Sequence, residues 1–358
     1  MKQLQELKQA YAGKCVLITG HTGFKGSWLS IWLKRLGASV VGYGLDPYTE
    51  EDNFVVSKLE NKMVDIRGDI RDKEKLQKVF EMYKPEVVFH LAAQALVRQS
   101  YIEPIATYET NVMGTINVLE CVRNSPSVKV AIMVTTDKCY ENKDQLGGYK
   151  EEDALGGYDP YSSSKAAAEI AIQSFRRSFF NPANYEVHGK AIASVRAGNV
   201  IGGGDWAKDR IIPDCIRALQ KYEDIHIRSP KAIRPWQHVL EPLSGYLLLG
   251  KKMLQEPTEY SESWNFGPAL ESVVPVREVA KLVVKYYGKG RVINDVIEDM
   301  PHEAGLLNLD RSKALFRLGW TPTWPVEEAV FYTVKWYQDF RRKDPYKLCL
   351  EQIAEFEE

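Results

Sequence analysis

Short apolar, β-branched runs recur along the first two-thirds of the chain. Each is followed by a longer stretch in which apolar residues return every three or four positions. The runs predict strands at 15–19, 39–43, 63–68, 86–91, 129–135 and 191–195. Between the first two, Trp28, Leu29, Trp32, Leu33 and Leu36 keep the helical period, which predicts a helix over 27–36 with Gly37 as its C-terminal cap glycine. The same period predicts helices over 73–83, 106–123 and 161–180, the last with Asp159 as N-cap and Pro160 in its first turn. Strands alternating with helices imply right-handed crossovers and an α/β, doubly wound parallel sheet covered on both faces. Ligands of such sheets bind at the carboxyl ends of the strands. The last third is less regular, richer in Pro and Trp, and reads as a smaller covering domain.

Composition narrows the classes of function. Among 358 residues, 47 basic side chains face 48 acidic ones, a net charge of −1 that argues against nucleic acid or an anionic membrane as partner. No apolar run approaches the roughly 20 residues that span a bilayer, and the polar start has no signal-peptide core. Five scattered cysteines fit a reducing compartment, with neither a disulfide framework nor zinc-type spacing. A soluble cytoplasmic protein without a metal site is expected.

The first strand runs straight into Gly20-His21-Thr22-Gly23-Phe24-Lys25-Gly26 and then into the Trp28 helix. Glycines at this spacing permit a tight turn, close approach of backbone to a pyrophosphate and close packing of helix on strand, while the helix N-terminus offers free N–H groups. A glycine triplet alone is weak; its place between first strand and first helix points to a dinucleotide. Gly44 stands where an acid usually holds the adenosine ribose, and Asp46 follows two residues later, either reaching the ribose or starting the turn at Pro47. No arginine follows the second strand closely, which favours NAD over NADP. Asp69 and Ile70 are placed to bracket the adenine, unless Asp69 only caps a helix. Leu91, Ala92 and Ala93 offer small residues where a cofactor backbone passes.

Tyr161 and Lys165 lie four residues apart and share a helix face. A tyrosine pKa near 10 is too high for a base at neutral pH, and an adjacent ammonium stabilises the phenolate. Tyr-x-x-x-Lys is common by chance on helices; here it follows the fifth strand of a dinucleotide fold.

Taken together, residues 20–26, 91–93, Asn111 and Tyr161-Ser-Ser-Ser-Lys165 resemble the extended short-chain dehydrogenase/reductase superfamily. The match runs from about residue 13 to about 322 and takes in Arg196-Ala-Gly-Asn199, Arg234-Pro-Trp-Gln-His238 and Asp310-x-x-Lys313. The resemblance implies a Rossmann-type NAD-binding domain over 1–200, with a returning segment near 236–266. A nucleotide-sugar domain would be formed by 201–235 and 267–358. It also implies a homodimer or homotetramer, because helices 106–123 and 161–180 correspond to those that pair subunits in relatives.

The fifth strand ends Thr135-Thr136-Asp137-Lys138. Epimerases of the superfamily have small, non-acidic residues after the Thr, whereas its 4,6-dehydratases carry Thr-Asp-Glu. With the Gly-His-Thr-Gly-Phe-Lys-Gly-Ser-Trp start, Thr-Asp-Lys resembles the 4,6-dehydratase group and implies CDP-glucose as substrate of a lyase in a deoxysugar pathway of bacterial surface polysaccharide. By that resemblance Thr136 hydrogen-bonds the C4 oxygen, Asp137 is the acid, and Lys138 takes the place of the C5 base, as a neutral base or as a cation stabilising the enolate. In isolation Asp137 and Lys138 would read as an exposed strand-end pair. Asn199, Arg234 and Asn265 match substrate-binding positions. Where the pattern has Arg-Pro-Gly-His, this chain has Asp299-Met-Pro-His302, so neutralising a diphosphate falls on Arg234 and His302, with Lys208, Arg210 or Arg228 as further cations. Trp206, Trp236 and Trp264 stack on a base or belong to the core. The alternatives are a dTDP-, UDP- or GDP-hexose 4,6-dehydratase, an NAD-dependent 4-epimerase and, from another class, a non-catalytic dinucleotide sensor.

Overall fold

The computed structural model describes residues 2–145, 147–294 and 306–358. Seven parallel strands form the central sheet: β1 (Cys15–Thr19), β2 (Ser39–Gly44), β3 (Val64–Arg67), β4 (Val87–His90), β5 (Val130–Val134), β6 (Ala191–Ala197) and β7 (Ser263–Phe266). Their order is β7-β6-β5-β4-β1-β2-β3, so the chain winds outward one way from β1 and the other way from β4. The α/β reading of the sequence is what the molecule has. The seventh strand, from the irregular final third, pairs Trp264 with Val195 and Asn265 with Arg196.

The alternation of side chains along each strand accounts for the two covered faces. Val16 and Ile18 of β1, and Val87 and Phe89 of β4, pack with the helices Phe24–Arg35, Leu240–Gln255 and Val326–Asp339. Leu17 and Val88 point the other way, against Lys73–Tyr83, Gly114–Asn124 and Pro160–Ser178. The helix expected over 106–123 runs unbroken from Pro104 to Asn124, with one widened turn inside it: Pro104–Tyr108, a π-helical turn at Glu109–Met113, and Gly114–Asn124. The widened turn carries Asn111, whose amide binds both backbone groups of Gln94 (2.9 and 3.0 Å) and the Ser164 hydroxyl (2.9 Å). Polar partners inside a helix reward an extra residue in the turn that periodicity does not reveal.

Outside the central sheet, the described residues form three two-stranded pairs: Val200–Ile201 with Gln237–His238, Ile233–Pro235 with Val273–Pro275, and Ile225–Ile227 with Val292–Asn294. Among the described residues no helix is long and apolar enough to cross a membrane.

The order of strands parts at β1 and β4, and there the chain turns through its glycines. Gly20 takes a left-handed φ of 75°, and a Cβ on it would lie 2.7 Å from the backbone nitrogen of Ala92 after β4. A Cβ on Gly26 would lie 2.1 Å from the Gly20 carbonyl oxygen. Gly23 differs, since a Cβ there meets only that oxygen, at 3.4 Å. The fold therefore demands glycine at 20 and 26 but not at 23. Gly26→Ala should cost about 3 kcal/mol or more, while Gly23→Ala unfolds at the wild-type urea midpoint. Equal midpoints for the two variants would refute the assignment.

Candidate active site

A cavity of about 1220 Å³ opens at the carboxyl ends of the strands. Its wall brings together nearly every residue that the sequence singled out: Gly20 and residues 22–26, Asp46, Asp69 and Ile70, 91–93, 136–138, Tyr161 and Lys165, and Asn199, Arg210 and Arg234. Asn265 does not line this wall. Its amide is spent inside the protein, with Nδ2 donating to the Tyr149 carbonyl and Oδ1 accepting from the Tyr140 hydroxyl, both at 2.8 Å. His302 and Asp299 lie outside the described residues.

At one end the wall fits a dinucleotide. No side chain caps the first turn of the Phe24–Arg35 helix, whose N-cap is Gly23, so its leading N–H groups face the cavity unspent. The missing side chain at Gly23, which the fold does not need, leaves room for phosphate against backbone. Thr22 ties this turn to the end of β2 by donating to the Leu45 carbonyl at 2.9 Å.

Asp46 is exposed at this end, and the structure brings to it an arginine that the sequence did not foretell. Arg67, at the end of the neighbouring β3, lies 3.6 Å from Asp46 and donates to the Leu45 carbonyl at 3.3 Å. It is matched by Asp65 (2.9 Å), so its charge is neutralised rather than free for a 2′-phosphate. Asp69 binds Arg71 at 2.7 Å and is not the helix cap; Asp72 is, accepting from the Lys75 N–H.

At the other end β5 delivers Thr136 into a 3₁₀ turn, Asp137–Cys139, opposite the first turns of the Tyr161 helix. That helix starts as the sequence implied, with Asp159 accepting from the Ser162 N–H and Pro160 at its first position. Asp137 is buried; its Oδ1 accepts from the Thr136 hydroxyl at 2.9 Å, and its Oδ2 has no hydrogen-bond partner among the described residues. Burial raises its pKa above the usual carboxylate range, against the pull of Lys138, Thr136, Arg234 and Lys25. A carboxyl group raised in this way keeps a proton to higher pH than a free one.

Lys165 is also buried and donates to the Val134 carbonyl at 3.3 Å. Burial brings it down to about 8, with Glu169 acting in the opposite sense. Tyr161 is pushed up to about 12 by burial, while the Thr136 hydroxyl works the other way. Lys25 reaches the same space, and burial, then the Arg210 and Lys165 cations, bring it down to about 8.

Beneath this floor lies a network of which the sequence reading missed the centre. Glu169, one turn beyond Lys165, accepts from Arg196 through both oxygens (3.0 and 2.8 Å), from Thr135 at 2.5 Å and from Ser194 at 2.8 Å. Arg196 also donates to the Tyr140 hydroxyl at 2.6 Å. The signal was available: Glu169 follows Lys165 at the i+4 spacing that places both on one helix face.

Comparison with known proteins agrees with this geometry. The family model described as GDP-mannose 4,6 dehydratase matches residues 17–333. A CDP-glucose 4,6-dehydratase of Salmonella typhimurium is 50% identical over 342 residues, 96% of this chain and 95% of that protein. The dTDP-D-glucose 4,6-dehydratase of Homo sapiens is 27% identical, over 91% of this chain and 90% of its own. Among solved structures, dTDP-glucose 4,6-dehydratase from Bacillus anthracis in complex with NAD superposes with a TM-score of 0.75 at 22% identity, covering 93% of this chain and all of that one. UDP-glucose 4-epimerase from Thermotoga maritima gives 0.76 at 24%, covering 92% of this chain and all of that one. With a family model spanning most of its length and a relative at half identity end to end, the chain belongs to the GDP-mannose 4,6-dehydratase family of the extended short-chain dehydrogenase/reductase superfamily.

Proposed function

We propose that the chain is an NAD-dependent carbon–oxygen lyase that converts CDP-D-glucose to CDP-4-dehydro-6-deoxy-D-glucose and water. The observation that carries the reaction type is the Thr136-Asp137-Lys138 turn facing Tyr161 and Lys165 across one cavity. The choice of CDP rests on the near end-to-end likeness to the Salmonella protein. In this reading residues 1–200, with the segment returning near 236–266, hold the cofactor, and 201–235 with 267–358 hold the nucleotide sugar.

Gly20 and residues 22–26, with Asp46, Asp69, Ile70 and 91–93, would hold NAD, which when bound would supply a hydride acceptor for C4 of the hexose and a hydride donor for C6. Tyr161 takes the C4 hydroxyl proton, and Lys165, whose pKa of about 8 leaves most of it charged at neutral pH, lowers the cost of the phenolate. Thr136 hydrogen-bonds the C4 oxygen. The 4-keto group makes the C5 proton acidic; Lys138, in the position of the C5 base, removes it or, as a cation, stabilises the enolate, and C5 takes up a proton again when C6 is reduced. Asp137, which burial disposes to be protonated, gives its proton to the departing C6 hydroxyl, and water leaves. Asn199, Arg210 and Arg234 hold the sugar nucleotide, with His302 a further candidate by resemblance alone.

A homo-oligomer belongs to the same proposal. Ile105 and Ile170, 74% and 56% exposed, lie on the helices Pro104–Tyr108 and Pro160–Ser178, apolar side chains of the kind a subunit interface covers. Sedimentation equilibrium should give a dimer or tetramer, and a monomer would remove this part.

Incubation with CDP-, dTDP-, UDP- and GDP-hexoses should yield a 4-keto-6-deoxy product from CDP-glucose at a rate at least tenfold above the others. A C4 epimer instead, or no turnover of any of them, would overturn the reading. Lys138→Ala should still show transient NADH while losing exchange of the C5 hydrogen with solvent. Each proton-transfer group is worth about 10²–10⁴ in rate, so unimpaired exchange would take Lys138 out of that role.

A further inference from the structure

Two arginines from opposite walls of the cavity share one carboxylate oxygen. Arg98, on the short helix Val97–Ile102 after β4, and Arg228, just beyond the strand Ile225–Ile227, both donate to Oδ1 of Asp209, at 2.8 and 2.9 Å. All three residues face the cavity. Asp209 takes a left-handed φ of 61° and immediately precedes Arg210, the N-cap of the helix Ile211–Lys221. One carboxylate thus ties the side carrying the cofactor strands to the side carrying the cover.

The neighbouring cation is held differently. Arg210 binds Asp205 at 2.7 Å, and the Asp205 side chain is 7% exposed, so that pair is fixed in the wall. The side chains of Arg98, Asp209 and Arg228 are 49%, 39% and 32% exposed. Ion pairs this exposed contribute about 0–1 kcal/mol, too little to be explained by stability. They set two guanidiniums side by side and release them at small cost. One oxygen shared between two forks leaves most of their N–H donors unspent, and a diphosphate, with a charge and several oxygens for each fork, is the better partner.

We propose that Arg98 and Arg228 bind the diphosphate of the nucleotide sugar, and that Asp209 is a positioning residue that holds the pair ready and gives it up when the diphosphate arrives. The proposal rests on the reading of the cavity as a nucleotide-sugar site and adds to it Arg98, its pairing with Arg228 and an internal competitor.

The test is titration calorimetry of the NAD-loaded protein with CDP. Arg98→Ala and Arg228→Ala should each weaken CDP binding tenfold or more and leave NAD affinity within twofold. Lysine at either position should recover only part of the loss, because it restores the charge but not the fork. Asp209→Asn should bind CDP as tightly as wild type or tighter, having lost the competitor. Arginine variants that bind CDP like wild type would overturn the proposal. So would an Asp209→Asn variant that loses affinity as they do, since that is how a purely structural clamp behaves. Should wild type bind dTDP, UDP or GDP in place of CDP, the base reading fails while the arginine pair is judged on the nucleotide that binds.

Discussion

A guanidinium and a carboxylate are buried together under the floor of the cavity, and each is spent on several elements at once. Glu169 holds its own helix to β6 through Arg196 and Ser194 and to the end of β5 through Thr135. Arg196 extends the hold to Tyr140, which in turn meets Asn265 of β7. Desolvating two such charges is expensive, and removing one partner of a buried pair costs about 3–5 kcal/mol because the other is stranded. The arrangement is tolerable because every oxygen of Glu169 is met by donors. It leaves Lys165 and the 136–138 turn with little freedom relative to one another, and proton transfer depends on such placement.

The same economy governs charge across the cavity. Arg210 is matched by Asp205, Arg67 by Asp65 and Asp46, Arg71 by Asp69, and Arg98 and Arg228 by Asp209. Several of the cavity's arginines are thus paired with acids. The near-zero net charge of the sequence says little about how charge is arranged over this wall. Asp137 stands apart, with one carboxyl oxygen buried and unpartnered among the described residues. An unsatisfied buried group is costly, which marks Asp137 as a candidate for chemistry.

Much of the site was legible because its parts are local. The glycine turn follows β1 directly, Tyr161 and Lys165 are one helical turn apart, and Thr136, Asp137 and Lys138 are consecutive. Each therefore carries its geometry in its spacing. Arg67 was not legible as a neighbour of Asp46, since 21 positions and a strand pairing separate them; only the parallel register of β2 and β3, with Gly44 opposite Arg67, brings them together. Asn265 matched a pattern but faces inward, because its place on β7 puts its amide within reach of Tyr140 and Tyr149 rather than of the cavity.

The sequence by itself determined the doubly wound sheet and the turn at Gly20, and singled out the candidate reacting groups. Periodicity and short motifs are properties of neighbours in the chain, and the backbone obeys them wherever they stand. Only the tertiary structure decided which of the matched residues share a wall, which carboxylates hold the cations, and which way Asp137 is tuned. Those outcomes depend on distances and on exclusion of water between segments tens to hundreds of residues apart, and no spacing along the chain encodes a dielectric.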